Sequence, residues 1–314
     1  MIHNPAAGQR EVSRDLQQAA DLLAAHGWSV VCRRTAGPGD ATALARQAVA
    51  EGYDMAVAAG GDGTLSEVAN GLVHSDCILG VLPVGTGNVL ARNLQIPRWT
   101  PTTRSAMQDA ARVLVEGQVR TIDLGRVGER YFILHLGVGF DAQVARTVEP
   151  ARTEASRNLR NVGYVATTVG LAFSQRGSRM TLTIDDLTVR QRALMVLVSN
   201  AQNYAGTFRV APQALLDDGL LDVYVFKGAN TVDAIRHIGN VLLGRHVGDP
   251  KIEVYQARHL EIRADTTLPV QLDGEPIEHT PLEVRVEPSA LRVVVPEGAA
   301  GNLFRSVPEA AARN

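Results

Sequence analysis

Apolar residues follow two alternating periods over the first 125 positions. From Asp15 to His26, Leu16, Ala19, Ala20, Leu22 and Leu23 recur at helical spacing, and Gly27 marks the stop. Trp28 to Cys32 reads as a short strand, and Ala41 to Ala50 as a second helix with Leu44, Ala45, Ala48 and Val49 on one side. Met55 to Ala59 is a compact buried strand closed by Gly60 and Gly61. Ile78 to Leu82 is the next, closed by Pro83. This rhythm predicts a doubly wound parallel sheet, covered by helices on both faces. Ile2-His3 reads as a clipped first strand, so the true start of the chain is expected upstream of Met1.

From about Arg126 the pattern turns to short strands: Tyr131–Leu136, Met180–Ile184, Leu187–Arg190, Ala193–Ser199, Leu221–Phe226, His259–Arg263, Val270–Leu272 and Leu282–Val286. Asp185-Asp186, Asp218-Gly219 and Asp273-Gly274 punctuate them as turns, which predicts a β-rich second domain, a sandwich. Two helical stretches, Arg157–Phe173 and Val232–Gly244, interrupt it. The strand Leu291–Pro296 is expected to return to the first unit. The domains expected are therefore 1–125, completed by 291–314, and 126–290.

Composition narrows the class. Of 314 residues 45% are hydrophobic and 20% charged, with 31 basic against 33 acidic side chains, which fits a folded chain and offers no polybasic footprint for nucleic acid. Only Lys227 and Lys251 are lysines; the other basic residues are arginine. Cys32 and Cys77 are too few for a zinc knuckle and read as two buried thiols in a reducing compartment. No signal-peptide pattern follows Met1, and no apolar run reaches the roughly 18–20 residues that span a bilayer. A cytoplasmic protein is expected.

The chemistry concentrates in Gly60-Gly61-Asp62-Gly63-Thr64, which follows a buried strand and opens a helix with Leu65, Val68, Ala69 and Leu72 inward. Thr64 and Glu67 fit a capping box, which predicts a helix start at Thr64. Glycines before a helix N-terminus let backbone N–H groups close on an anion, and the helix dipole adds attraction. No lysine-bearing P-loop motif is present, which excludes that class of nucleotide hydrolase. Gly85-Thr86-Gly87-Asn88 follows the next strand, and Asn4-Pro5-Ala6-Ala7-Gly8 the first. The three loops should converge at the carboxyl edge of the sheet.

These loops resemble the diacylglycerol kinase catalytic domain family, which includes bacterial soluble lipid kinases and the sphingosine and ceramide kinases. The likeness runs in order through Asn4-Pro5-x-x-Gly8, Gly60–Thr64, Gly85–Asn88 with Ala91-Arg92, Asp123-Leu124-Gly125, Gly139–Ala142, Ala211-Pro212-x-Ala214 with Asp218–Asp222, and Asp273-Gly274-Glu275. It implies an ATP- and Mg²⁺-dependent kinase acting on the hydroxyl of diacylglycerol or a similar lipid, bound between two domains. A kinase for another hydroxyl, such as a sphingoid base or an NAD-like acceptor, and a non-catalytic nucleotide sensor are the competing readings.

The resemblance implies nucleotide contacts at Asn4, Pro5, Gly8, Thr35, Gly60, Gly61, Asp62, Gly63, Thr64, Glu67, Thr86 and Asn88. It places the catalytic carboxylates at Glu275, Asp273 and Asp62, with Glu275 the first choice of base. By similarity to bacterial members, a structural Mg²⁺ would sit on Asp218 and the main-chain oxygens of Leu215 and Leu220, since hard cations favour such ligands. Both acidic turns also read as hairpins, the one at Asp273-Gly274 as type I′. Two departures touch the acceptor end. His135 stands where relatives often carry Asn, and reads as a packed, hydrogen-bonded histidine; the stretch Tyr204–Phe208 is poor in glycine. Arginines from Arg146 to Arg179 flank an apolar stretch that reads first as a core-packing helix with solvated arginines, and alternatively as a face for brief contact with the inner face of a membrane. A homodimer is an open option.

Overall fold

Strands β1 (Ile2–His3), β2 (Arg33–Arg34), β3 (Met55–Gly60) and β4 (Ile78–Pro83) pair in parallel in the order β2-β1-β3-β4. The structure is a computed structural model, and it describes residues 1–7, 13–85, 87–98, 105–139, 176–204, 208–299 and 302–305. Helices α1 (Ser13–Ala25), α2 (Asp40–Ala50), α3 (Asp62–Leu72), α4 (Val89–Asn93) and α5 (Ala106–Glu116) connect or follow these strands. Because β1-to-β2 steps one way along the sheet and β3-to-β4 the other, right-handed crossovers put α1 on one face and α2 and α3 on the opposite one. The contacts agree: α1 packs on α5, and α2 on α3.

The β-rich part comprises β5 (Gln118–Val127), β6 (Arg130–Phe132), β7 (His135–Gly139), β8 (Ser178–Ile184), β9 (Leu187–Ser199), β10 (Asn203–Tyr204), β11 (Phe208–Arg209) and β12 (Leu221–Lys227). It continues with α6 (Thr231–Leu242), β13 (Ile252–Ala257), β14 (His259–Ala264), β15 (Pro269–Leu272), β16 (Glu275–His279) and β17 (Leu282–Val295). The long β17 pairs with β14 at its start, with β5 along its length, and in parallel with β4 at Val293. It thereby joins the parallel and antiparallel parts into one network of 15 strands. One apolar core lies under the parallel sheet and includes Leu291, Val293, Leu303 and Phe304; two more fill the β-rich part. Among the described residues no helix is long and apolar enough to cross a membrane.

Six expectations need correction. Cys32, expected as a buried thiol, is exposed beside the edge strand β2, and only Cys77 is buried. The strand placed at Trp28–Cys32 lies at Arg33–Arg34, where Arg33 N donates to Met1 O and Thr35 N to His3 O. Helix α3 starts at Asp62 rather than Thr64, with Gly61 as N-cap and no capping box, because tertiary partners occupy both box side chains. Tyr131–Leu136 is two strands; the break at Ile133-Leu134 turns their N–H groups toward Asp273. Leu187–Arg190 and Ala193–Ser199 form one strand, the polar Gln191-Arg192 pairing with Met180 and Arg179. Leu282–Val286 and Leu291–Pro296 are likewise one strand, β17, irregular between Glu287 and Leu291.

Candidate functional site

The glycine loop is assembled by steric fit. A Cβ on Gly60 would lie 2.4 Å from Thr64 Cβ, so only glycine leaves room for that buried side chain. Thr64 Oγ1 accepts from Asn4 Nδ2 at 3.1 Å, and Asn4 N donates to Ala59 O at 3.2 Å, docking the N-terminal loop beside β3 and α3. Pro5 follows in a turn whose Ala6 and Ala7 amides donate back to Asn4. Val84 N and Gly85 N both donate to Gly60 O, at 3.0 and 3.1 Å, which ties the second glycine loop to the first. The backbones nearly touch there, since a Cβ on Gly85 would stand 2.4 Å from Gly61 Cα.

Asp62 strengthens that junction. Its Oδ1 accepts from Val89 N at 2.6 Å and Leu90 N at 3.3 Å, at the N-terminus of α4. Asn88, the αL residue before α4, makes no capping bond, so a carboxylate from another loop supplies the acceptor. Asn88 instead donates from Nδ2 to Gly85 O at 2.6 Å. Glu67 acts similarly toward α2, accepting from Gly39 N at 3.0 Å and Ala41 N at 3.1 Å. Thr35 is the residue after β2, held by its amide to β1. Gly8, Thr86, residues 140–142, the apolar stretch with its arginines up to 175, and 205–207 lie outside the described residues.

The β15–β16 hairpin brings the opposite wall. Asp273 and Gly274 carry φ of 49° and 94°, as a two-residue type I′ turn requires. Asp273 is half-buried and accepts three backbone N–H bonds: Ile133 at 2.8 Å, Leu134 at 2.9 Å and His135 at 2.9 Å. Burial outweighs these bonds and, with a smaller contribution from Asp62, pushes its carboxyl up to about 6. Glu275 reaches the glycine loop itself: a Cβ on Gly63 would be 3.2 Å from Glu275 Oε1. Its other oxygen meets Arg130 Nη2 at 2.8 Å in a pair half open to solvent. Asp62, Asp273 and Glu275 thus gather around one glycine loop, although 211 positions or more separate Asp62 from the other two in the chain.

His135 is buried and fully bonded, with Nδ1 to Ser199 Oγ at 3.1 Å and Nε2 to Asn203 O at 3.0 Å. Burial pushes its pKa down to about 4, so the ring is neutral; it then donates from Nε2 and accepts at Nδ1. Asn203 N and Nδ2 donate to Asn93 Oδ1 at 2.9 and 3.2 Å, linking β10 to the end of α4. Sequence reasoning did not find Asn93 or Arg130. Asn93, polar within the mostly apolar run Val89–Leu94, was a signal for the first; nothing local marked the second.

Asp218 lies on a separate turn, where its Oδ1 accepts from Leu220 N at 3.1 Å. Burial pushes its carboxyl up, and Asp123 and Asp217 add to the shift. Asp222 nearby rises to about 6 for the same reasons, burial first and then Asp218. A turn whose carboxylates raise one another is short of positive charge and offers only oxygen donors, which fits a hard cation. Among the described residues no three acidic, His or Cys side chains converge to hold an ion alone, so main-chain oxygens such as those of Leu215 and Leu220 would have to complete the set. The glycine loop likewise fits a triphosphate: α3 has no side-chain cap, and Gly61 and Gly63 carry no Cβ to bar close approach to its N-terminus.

Comparison with known proteins supplies the family. The diacylglycerol kinase catalytic domain model matches residues 1–127, and the YegS C-terminal NAD kinase beta sandwich-like domain matches 135–295. A diacylglycerol kinase of Bacillus subtilis (strain 168) is 31% identical over 277 residues, 88% of this chain and 88% of that protein. One from Staphylococcus aureus (strain MRSA252) is 28% identical over 88% of this chain and 85% of its own. The crystal structure of a diacylglycerol kinase from Bacillus anthracis str. Sterne has a TM-score of 0.72 at 22% identity, covering 95% of this chain and 97% of that one. The parallel sheet with its glycine loops, joined to a β-rich C-terminal part, is the fold of these proteins, and the chain belongs to the diacylglycerol kinase family.

Proposed function

We propose that the protein is an ATP-dependent lipid kinase that transfers the γ-phosphoryl group to the hydroxyl of diacylglycerol or a similar lipid. The observation that carries this reading is the approach of Glu275 Oε1 to Gly63, which sets a carboxylate against the phosphate cradle. The amides from Gly60 to Thr64 hold the phosphates, with Asn4 and Thr35 toward the rest of the nucleotide. Mg²⁺, when bound, neutralises phosphate charge, and Asp218 with the Leu215 and Leu220 carbonyls is the set fitted to hold a structural cation.

Glu275 takes the proton of the acceptor hydroxyl at Oε1 as the lipid oxygen bonds to phosphorus and the bond to the ADP leaving group breaks. Asp273 positions rather than abstracts, because its three backbone donors already fix residues 133–135. Asp62 holds the two glycine loops in register through α4. A proton acceptor on the hairpin favours a catalyst over a nucleotide sensor. The enzyme would work in the cytoplasm and visit the inner membrane face transiently.

The test is phosphorylation with labelled ATP across diacylglycerol, a sphingoid base and NAD, for wild type and Glu275→Gln. The expected result is a labelled lipid, and a kcat lower by about 10²–10⁴-fold in the variant with little change in the KM for ATP. No labelled product from any acceptor would sink the kinase reading. Full activity in Glu275→Gln would remove only the base.

A further inference from the structure

Strand β6 has three residues, Arg130 to Phe132, and its ladder partner is β5. So short a ladder is a weak hold, yet contacts from outside it brace the strand along its length. Asn70 lies on α3, the helix that opens with the glycine loop, and bonds Tyr131 as a strand neighbour would. Its Oδ1 accepts from Tyr131 N at 2.9 Å, and its Nδ2 donates to Tyr131 O at 3.0 Å. The same Nδ2 donates to Ser66 O at 2.9 Å, which fixes the amide on its own helix. Phe132 is fully buried, its ring filling the space that a Cβ on Gly125 would need. Directly after β6, Asp273 holds the amides of Ile133, Leu134 and His135.

These contacts make a closed frame. Helix α3 leads from the cradle to Asn70, Asn70 leads to β6, and the amides after β6 lead to Asp273 and so to Glu275 on the same hairpin. Arg130 spans the frame, its Nη2 donating to Glu275 Oε2 at 2.8 Å, while Glu275 Oε1 lies against Gly63. The two carboxylate oxygens therefore differ: one meets a cation and the other faces the cradle. The terminal torsion of a glutamate is broad and roughly two-fold, so the side chain alone does not keep one oxygen toward Gly63. A half-exposed ion pair adds little stability, and two long side chains give up rotamer freedom to form it. What this pair supplies is orientation, because both ends stand on braced backbone and the arginine fork is planar.

We propose that Arg130 is a positioning residue for phosphoryl transfer: by holding Glu275 Oε2 it keeps Oε1 against the cradle, where the acceptor hydroxyl arrives. The proposal rests on the kinase reading with Glu275 as base; Arg130 itself exchanges no proton. The assay is labelled-ATP transfer by the full chain to whichever of diacylglycerol, a sphingoid base or NAD the wild type labels. Arg130→Ala should lower kcat by about 10–10²-fold, the cost of a reacting group out of place by up to ~1 Å. The KM for ATP should stay within about twofold, and Tm within about 4 °C, because an exposed pair carries little stability. Millimolar guanidinium, too dilute to unfold the chain, should restore part of the lost kcat, and Arg130→Lys should keep more activity than the alanine variant. In a Glu275→Gln background, Arg130→Ala should cost less than about twofold more, since an effect exerted through Glu275 is already lost. Full activity in Arg130→Ala overturns the proposal. So does a loss that repeats undiminished in the Glu275→Gln background; with a raised KM for ATP, that result would make Arg130 a phosphate contact instead. Either outcome leaves the kinase reading standing, whereas a wild type that labels no acceptor overturns both together.

Discussion

The contact between Gly85 and Gly61 makes a sharp prediction because it is asymmetric. An alanine methyl at Gly85 would stand 2.4 Å from Gly61 Cα and 3.2 Å from Gly61 N, whereas a methyl at Gly61 would meet Gly85 Cα at 3.5 Å. Carbon atoms settle near 3.5–4.0 Å, so Gly85→Ala forces the loops apart by about 1 Å. The nearest obstacle is backbone, which cannot yield as a side chain can, and Asn88 Oδ1 at 3.0 Å crowds the methyl further. The amides of Val84 and Gly85 reach Gly60 O at 3.0 and 3.1 Å, and a further ~1 Å ends both bonds. Two lost bonds plus the strain of overpacking amount to about 2–3 kcal/mol. At roughly 2–4 °C per kcal/mol for a chain of this size, Tm should fall by about 4–12 °C. A misplacement of ~1 Å in the cradle should also raise the KM for ATP, by up to about 10²-fold. Gly61→Ala has φ of −92°, open to any residue, and only an ordinary contact to make. Its Tm should stay within about 2 °C of wild type, since substitutions without strain cost less than ~0.5 kcal/mol. Thermal unfolding of the two single variants is the assay. Equal Tm values, or a larger loss in Gly61→Ala, would refute the account of how the loops are held.

Two further predictions concern the opposite wall. Gly63→Ala places a methyl 3.2 Å from Glu275 Oε1, at the end of a side chain that can yield by tenths of an ångström; kcat should fall about tenfold with Tm unmoved. An unchanged kcat would argue against Glu275 as the base. His135 is held at about 4 by burial, while in the unfolded chain it takes a proton near 6.5. Its contribution is therefore full above pH 6.5 and lost as pH falls toward 4, a change of about 3 kcal/mol. Asp273 and Asp222, raised to about 6, act with the opposite sign, their contribution present below 3.8 and lost as pH rises through 6. Urea unfolding of His135→Asn against wild type at pH 7 and 4.5 cancels the carboxylates and isolates the histidine. An identical pH dependence in both would refute the assignment.

What the chain revealed of itself was local chemistry, and what it hid was set across distance. Met55–Gly60 leading into α3 was legible because a compact apolar run and a glycine loop are contiguous. The helix start was misread because Thr64 and Glu67 have partners near Asn4 and α2, 60 and 26–28 positions away. The break inside Tyr131–Leu136 depends on Asp273, 139–140 positions on, which no window of that strand contains. Helix α5 escaped notice because its buried side is mostly alanine, which carries little apolar signal. The site shows the same division: Asp62, Asp273 and Glu275 could each be named from motifs, but only the fold sets Glu275 against Gly63 and gives the Asp273 oxygens to the backbone of 133–135. Helix α6 carries the argument furthest. Its periodicity marks an amphipathic helix, yet periodicity fixes only that two faces differ, and leaves open which one turns inward. Lys251, Lys227 O and the Arg236–Asp249 pair decide that, because they offer the polar face charge and hydrogen bonds that an apolar floor could not. The apolar face is left to the outside by the chemistry of its neighbours.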